Sequence, residues 1–453
     1  MIPITVPIST VKIAVVRSPR GPGVADIEIS VAETLFREIR LGGGLGLESL
    51  RTDFRLRALY TQRNFLGRLR TLRLNAEPGY ALLPNFWSSV QRSGPTLTLG
   101  GQLSQPDVLG RNSELRFSLG YDLGVEYAYQ VHGPRTSLGL SRTLWINRVA
   151  VSGSLNFQFL DFFNVDQALV ENPYAQVLYG FIDPYFLTYL LQDVSLDLRD
   201  RQLDARRGGY FALNLEEGAY FSVGGALSSA GVGPSQVLSS IYLKLQPEVR
   251  GYLPLGSRVV LAARATFGQA FSRGDLSTPI TRRFYLGGPN SHRGFNYNRL
   301  SLQVCSRKRI GAPQNTAEYR PDCGEAVPEG FELLRLPVGG DQLFLAQGEV
   351  RVSLFRLFKN WLLLAGFIDA GDVAAPRCSG SSCAALGGAL QSVDFTRLHV
   401  AVGGGLRYQT IVGTIRADLG VRLNRLDPTE PDGTPNPDPG ERLVFHISIG
   451  EAF

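Results

Sequence analysis

Four sets of residues in this chain are of types that could do chemistry: its histidines, its cysteines, one close pair of carboxylates and one loop arginine. His132, His292, His399 and His446 are scattered and build no nucleophile–base pair or metal-ligand cluster, and no phosphate loop is present. Asp369-Ala370-Gly371-Asp372 brings two carboxylates together but lacks the further oxygen ligands of a calcium loop. The cysteines fall as two close pairs, Cys305 with Cys323 and Cys378 with Cys383, each enclosing a polar segment with glycine, proline or serine. Neither pair has zinc-knuckle spacing, so two short-range disulfides in an oxidising compartment are expected. No enzymatic activity, no metal and no cofactor are expected. That leaves Arg293, followed by Gly294 and Phe295. A guanidinium buried in an interior needs carboxylate partners in fixed geometry, so its role depends on which elements could enclose it.

Those elements are strands. Between Ser113 and Gln130, odd positions read Leu115, Phe117, Leu119, Tyr121, Leu123, Val125, Tyr127 and Tyr129, while even positions are polar or small. A strand sends successive side chains to opposite faces, so one face here is apolar and aromatic throughout. The pattern recurs from Phe344 to Leu354, broken only by Leu345, and in Ile415 to Leu423, with Arg416, Asp418 and Arg422 on the other face. It recurs again in Leu443, Phe445, Ile447 and Ile449. These strands are longer than most globular strands and long enough to cross a bilayer when tilted. A soluble β-sandwich also alternates, but its strands are usually shorter.

Dividing the chain at its turn-rich segments predicts an all-β protein, a transmembrane antiparallel β-barrel of about 16 strands. The strands are placed near 35–48, 53–63, 68–82, 95–105, 112–130, 135–145, 148–164, 185–198, 209–223, 238–252, 257–272, 341–355, 361–372, 395–409, 412–425 and 441–453. Long connections near 165–184, 273–340, 373–394 and 426–440 follow odd-numbered strands, and short ones follow even-numbered strands, as outer loops and periplasmic turns do. The barrel thus occupies 34–453, with Arg293 inside its longest loop. Residues 1–33 read as two short strands, too small to bury a core.

Composition agrees. With 51 glycines, 17 tyrosines, 25 phenylalanines and one methionine, the chain is rich in strand and turn formers. No apolar run approaches the roughly 18 residues of a spanning helix. The net charge of +6 is almost wholly arginine and forms no basic tract interleaved with aromatics, so no nucleic-acid partner is expected. The start, Met1-Ile2-Pro3-Ile4, has no basic segment followed by a long apolar stretch. An envelope protein normally needs a signal peptide, so either the numbering begins inside a longer precursor, or the chain is an excised piece, or the outer-membrane placement does not hold.

The segment Phe284-Tyr285-Leu286-Gly287-Gly288-Pro289-Asn290-Ser291-His292-Arg293-Gly294-Phe295 resembles the loop signature of the BamA/TamA outer-membrane assembly superfamily. His292 stands where that signature usually has an aliphatic residue. Further stretches resemble the same family in the same order. Leu196-Asp197-Leu198-Arg199-Asp200 and Arg207-Gly208-Gly209-Tyr210 come first, then Gly339-Gly340-Asp341 and Gly348-Glu349-Val350-Arg351. Gly366 to Val373, Gly403 to Tyr408, Gly413 to Gly420 and a terminal Phe453 follow.

The resemblance implies that the long loop folds back into the barrel and that Arg293 meets the wall near Glu349 and Asp369. Alternation alone turns Glu349 inward but leaves Asp369 undecided, because its strand is apolar on both faces. It implies that the two N-terminal strands are the tail of a periplasmic POTRA domain, with most of the POTRA region missing. It also implies a bacterial outer-membrane factor that catalyses folding of client β-barrels through a weakly paired seam between first and last strands, with local thinning of the bilayer. Gly42, Gly43, Gly44 and Gly46 on the first strand, with Gly450 and Phe453 on the last, fit such a seam, since glycine weakens strand interiors. The implied partners are outer-membrane lipids, unfolded client outer-membrane proteins, and periplasmic chaperones or accessory lipoproteins. Two alternatives remain open: a polypeptide-translocating pore of two-partner-secretion type, and an anchor for a domain outside this chain.

Overall fold

The computed structural model describes residues 8–17, 25–33, 35–48, 51–83, 92–171, 181, 183–202, 204–222, 239–274, 277–312, 316, 318–319, 328–358, 360–374, 392–410, 413–424 and 442–449. Within them the alternating segments form a single antiparallel sheet of 16 strands. These are β3 (Arg37–Glu48), β4 (Arg51–Arg63), β5 (Thr71–Leu83), β6 (Arg92–Pro106), β7 (Ser113–Val125), β8 (Gln130–Leu144), β9 (Val149–Phe163) and β10 (Tyr185–Asp197) in the first half. The second half holds β11 (Gly208–Ser222), β12 (Ser239–Leu255), β13 (Val259–Gly274), β17 (Gln342–Leu357), β18 (Asn360–Ala374), β19 (His399–Thr410), β20 (Gly413–Arg422) and β21 (Leu443–Ile449). Each pairs with its neighbour in chain order. The loop from β13 to β17 carries a small sheet of its own, β14 (Gln303–Arg309), β15 (Glu318–Tyr319) and β16 (Phe331–Pro337). Ahead of the barrel, β1 (Ile8–Arg17) and β2 (Ala25–Glu33) pair as a separate antiparallel hairpin.

All 16 expected barrel strands are present. The largest overrun is at 112–130, a strand only to Val125, where 126–129 turn back so that Gln130 pairs with Val125; the strand expected from 395 begins at His399. The aromatic alternation runs on into that turn because Ala128 and Tyr129 are core residues of a cap. They pack with Phe162, Leu169, Phe181, Tyr185, Ile280, Val304 and Leu336, joining the 126–129 turn, Leu169 and Phe181 to the long loop.

The outward face is the apolar one. Ile39, Leu41, Leu56, Leu119, Ile368 and Phe445 lie between 50% and 79% exposed. Such a continuous apolar surface suits hydrocarbon and not water. Phe159, Phe186 and Phe221 follow one another along the outer wall, with ring centroids 4.8 and 5.5 Å apart, as in an aromatic girdle. The two ends of the sheet, β3 and β21, approach within 8 Å between Cα atoms. Among the described residues, no ladder of backbone hydrogen bonds joins them.

Candidate functional site

The loop between β13 and β17 turns inward at once. Phe284 exchanges backbone hydrogen bonds with Gly340, and Leu286 with Leu300, closing a tongue whose tip runs through 287–299. Apolar residues hold it down. Phe284, Leu286, Phe295 and Leu300 pack against Ala270, Leu343, Leu345 and Val373 of the wall. Leu345, the exception to alternation in β17, faces inward because this part of the lumen is dry. The apolar inner face of β18 has the same cause: Leu363, Ala365, Phe367 and Val373 point inward and are buried.

Arg293 at the tongue's tip is fully buried. Its Nε and one terminal nitrogen donate to the two oxygens of Asp369 at 2.9 and 2.7 Å, and its backbone N–H donates to the same carboxylate at 2.8 Å. The other terminal nitrogen donates to Glu349. The Phe367 ring lies 3.6 Å beneath the guanidinium carbon. Burial alone would lower the pKa of Arg293, but the hydrogen bonds and charge of Asp369, with those of Glu349, outweigh it and hold the group above its ordinary value. Planar, bidentate pairing of this kind fixes orientation as well as position.

The network continues past the tip. Glu349 also accepts from Arg351 at 2.7 Å and from Arg407 at 3.2 Å, and Arg407 in turn donates to Asp418. Asn290 accepts from Arg264 through its backbone and from Arg416 through its side chain. Gln347 donates to the carbonyl of Ser291 at 2.6 Å. His446 on the last strand donates to the carbonyl of Arg293 at 3.2 Å. The tongue therefore bonds to β13, β17, β18 and β20 and, at their far edge, to β21.

Two glycines let the backbones approach this closely. A Cβ on Gly294 would sit 2.4 Å from the Ala401 Cβ, and one on Gly420 would sit 2.3 Å from the Arg293 carbonyl oxygen. Beside them, His292 donates from Nε2 to the His399 carbonyl at 2.9 Å and accepts at Nδ1 from the Gly294 N–H at 3.3 Å. That pattern requires a neutral imidazole, and burial lowers its pKa accordingly, against the opposing charge of Asp369.

The structure thus brings Arg293, Gly294, Phe295, Glu349 and Asp369 together. It places Gly42, Gly43, Gly44 and Gly46 on β3, at the opposite end of the sheet from β21. Gly450 and Phe453 lie outside the described residues, as do Cys323, Cys378 and Cys383; Cys305 is described only by its backbone, in β14. Sequence reasoning left out Asn290, Gln347, Arg407, Arg416, Asp418, Gly420 and His446. The inward-facing charges of β20 were the available signal. Among the described residues, no cluster of three or more His, Cys, Asp or Glu could hold a metal ion.

A model of the Omp85 superfamily domain matches residues 64–453. Among solved structures, BamA from Haemophilus ducreyi lacking POTRA domains 1–3 superposes with a TM-score of 0.65 at 16% identity, covering 98% of this chain and 75% of that one. CdiB from Acinetobacter baumannii gives 0.49 at 12% identity, covering 98% and 66%. CdiB from Escherichia coli gives 0.48 at 15%, covering 98% and 68%. At these identities the first likeness is one of fold alone, and the other two carry no further weight.

Proposed function

The chain belongs to the Omp85 superfamily of outer-membrane β-barrels, and from that premise we propose that it is an assembly factor that speeds the folding of client β-barrels into the outer membrane. The observation that carries this reading is the asymmetry of the two sheet ends. β21 is tied to the buried tongue through His446. β3 has no ladder partner at its outer edge among the described residues, and three of its glycines, Gly42, Gly44 and Gly46, stand on its inner face. An unpaired strand edge presents a row of backbone donors and acceptors that templates another strand. One held lip and one open lip allow a client strand to add at β3 while the rest of the barrel keeps its shape. Arg293, Glu349 and Asp369 act here as a lock that preserves that shape.

The test is the folding rate of a urea-denatured client barrel added to proteoliposomes that contain the native chain, a variant with a disulfide linking β3 to β21, or no protein. Faster folding with the native chain, abolished by the cross-link and restored by reductant, is the expected result. Acceleration that survives the cross-link removes the seam from the mechanism. A second reading, a polypeptide-translocating pore, draws on the open inner wall of β3 to β8, where Arg40, Arg57, Arg116 and Arg135 remain more than 40% exposed. Passage of an unfolded chain into liposomes without folding in their membrane would favour it.

A further inference from the structure

The inner wall beside the open lip holds a chamber that the tongue does not fill. It has a volume of about 480 Å³ and is lined by the inward faces of β3, β4, β5 and β6. Register places its residues side by side: Thr61 opposes Glu38 on one flank and Arg73 on the other, and Gly42 opposes Arg57. Four guanidinium groups, from Arg40, Arg57, Arg63 and Arg73, face the chamber, and Glu38 is its one lining carboxylate. Arg40 and Arg63 share Glu38, while Arg57 pairs with Glu77 just outside. Even with Glu77 included, four positive charges stand against two negative ones. Arg40 and Arg57 keep 66% and 63% of their side chains exposed, so they remain available to a ligand. The middle of the inner face of β3 is bare: a Cβ on Gly42 or Gly44 would meet nothing within 4 Å, whereas one on Gly46 would meet the Arg55 guanidinium at 3.1 Å.

We propose that this chamber binds carboxylate side chains of an extended polypeptide strand laid along the free edge of β3. The proposal rests on the assembly reading above, which brings client strands to that edge. A strand paired with β3 must direct alternate side chains to the same inner face. In a membrane barrel those alternate residues are the polar ones. The bare glycine track leaves room for them, and the uncompensated arginines select acidic over basic residues, by charge and by bidentate geometry. The ligand class is thus an amphipathic strand with Asp or Glu on its polar face. Free lipid is a poor match, because the chamber opens into the lumen and the outer wall of β3 carries Ile39, Leu41 and Leu45.

The probes are fluorescent peptides of about 11 residues, the length of a membrane-crossing strand, alternating apolar residues with Asp, Asn or Lys. Their binding to the full chain in lipid nanodiscs is followed by anisotropy. The Asp peptide should bind more tightly than the Lys peptide by roughly tenfold, the scale of a few partly exposed charge pairs. Arg40→Gln, Arg57→Gln and Arg73→Gln together should erase the preference, and the three Glu substitutions should invert it. Arg116→Glu with Arg135→Glu, on the same wall but away from the chamber, should leave it intact. Heat-modifiability on a gel confirms that each variant is folded. Equal binding of all peptides, no binding of any, or an Asp preference that survives the triple variants overturns the proposal. Failure of the assembly reading looks different: the Asp preference stands, but the native chain does not accelerate client folding. If clients with acidic and basic inner faces fold equally faster, the assembly reading stands and the chamber proposal falls.

Discussion

The inner walls of β3 to β8 and of β17 to β21 are written in the same alternating code, yet their charges live in different media. On the first wall Arg40, Arg57, Arg116 and Arg135 pair with carboxylates and still keep 44% to 66% of their side chains in solvent. On the second, Arg293, Arg407, Glu349, Asp369 and Asp418 pair with almost no exposure at all. The difference is the tongue. It removes water from one wall and leaves these four arginines of the other wet, so pairs of the same chemistry become structural on one side and available on the other.

The largest effect should come from breaking the dry wall. Asp369→Ala leaves the Arg293 guanidinium buried without its bidentate partner, which costs on the order of 3–5 kcal/mol for a pair of this burial. The tongue is then expected to leave the lumen, seen as a lower temperature of heat-modifiability and as new trypsin cleavage within the loop. Full protection in Asp369→Ala would show that apolar packing of Phe284, Leu286 and Phe295 holds the tongue unaided.

Next is Gly420→Ala, which tests close approach without touching any charge. The added Cβ meets a backbone carbonyl and not a flexible side-chain end, so the tongue must shift. Overpacking of this kind costs roughly 1–3 kcal/mol. The same gel and proteolysis measurements should show a partial release, smaller than that of Asp369→Ala. Gly44→Ala, on the wet wall, should change neither, because nothing stands within 4 Å of the added atom.

The sharpness of this contrast was only half legible in the sequence. Alternation located all 16 strands and turned Glu349 and the charges of β20 inward, because the strand period is set by backbone geometry alone. It could not say whether an inward face meets water or protein, since that depends on a loop hundreds of atoms long folding back across several strands. Leu345 and the doubly apolar β18 were the visible traces of the dry region, and they read as irregularities until the tongue accounts for them. Asp369 needed the family resemblance for the same reason. The tongue's partners on β20 and β21, Arg416 for Asn290 and His446 for Arg293, lie more than 120 residues away in the chain, where no local spacing signals contact.

Acidity should act on the dry wall as well. His292 is neutral when docked, with its pKa below the ordinary 6.5, chiefly through burial. The released tongue therefore binds a proton more readily than the docked one. The contribution of His292 to docking is present above about pH 6.5 and is lost as pH falls through and below that value. Trypsin cleavage of the loop should rise between pH 7.5 and 5.5 in the native chain, and rise less in His292→Gln, which keeps a donor and an acceptor but cannot titrate. Identical pH profiles would place the acid-sensitive group elsewhere.

The smallest effect is expected on the wet wall, and it is the one that makes the comparison quantitative. Arg57 and Glu77 pair at 2.9 Å, a separation like that of Arg293 and Asp369, but with 63% and 27% of their side chains exposed. An exposed pair gains little because water already solvates both charges, so Arg57→Ala should cost no more than about 1 kcal/mol. Heat-modifiability and loop proteolysis should match the native chain, while high salt, which screens exposed charges, should abolish what little difference remains. If Arg57→Ala instead destabilises the barrel as much as Asp369→Ala does, then solvent exposure does not separate the two walls. The charges beside β3 would have to be counted as part of the frame rather than as groups held open for a ligand.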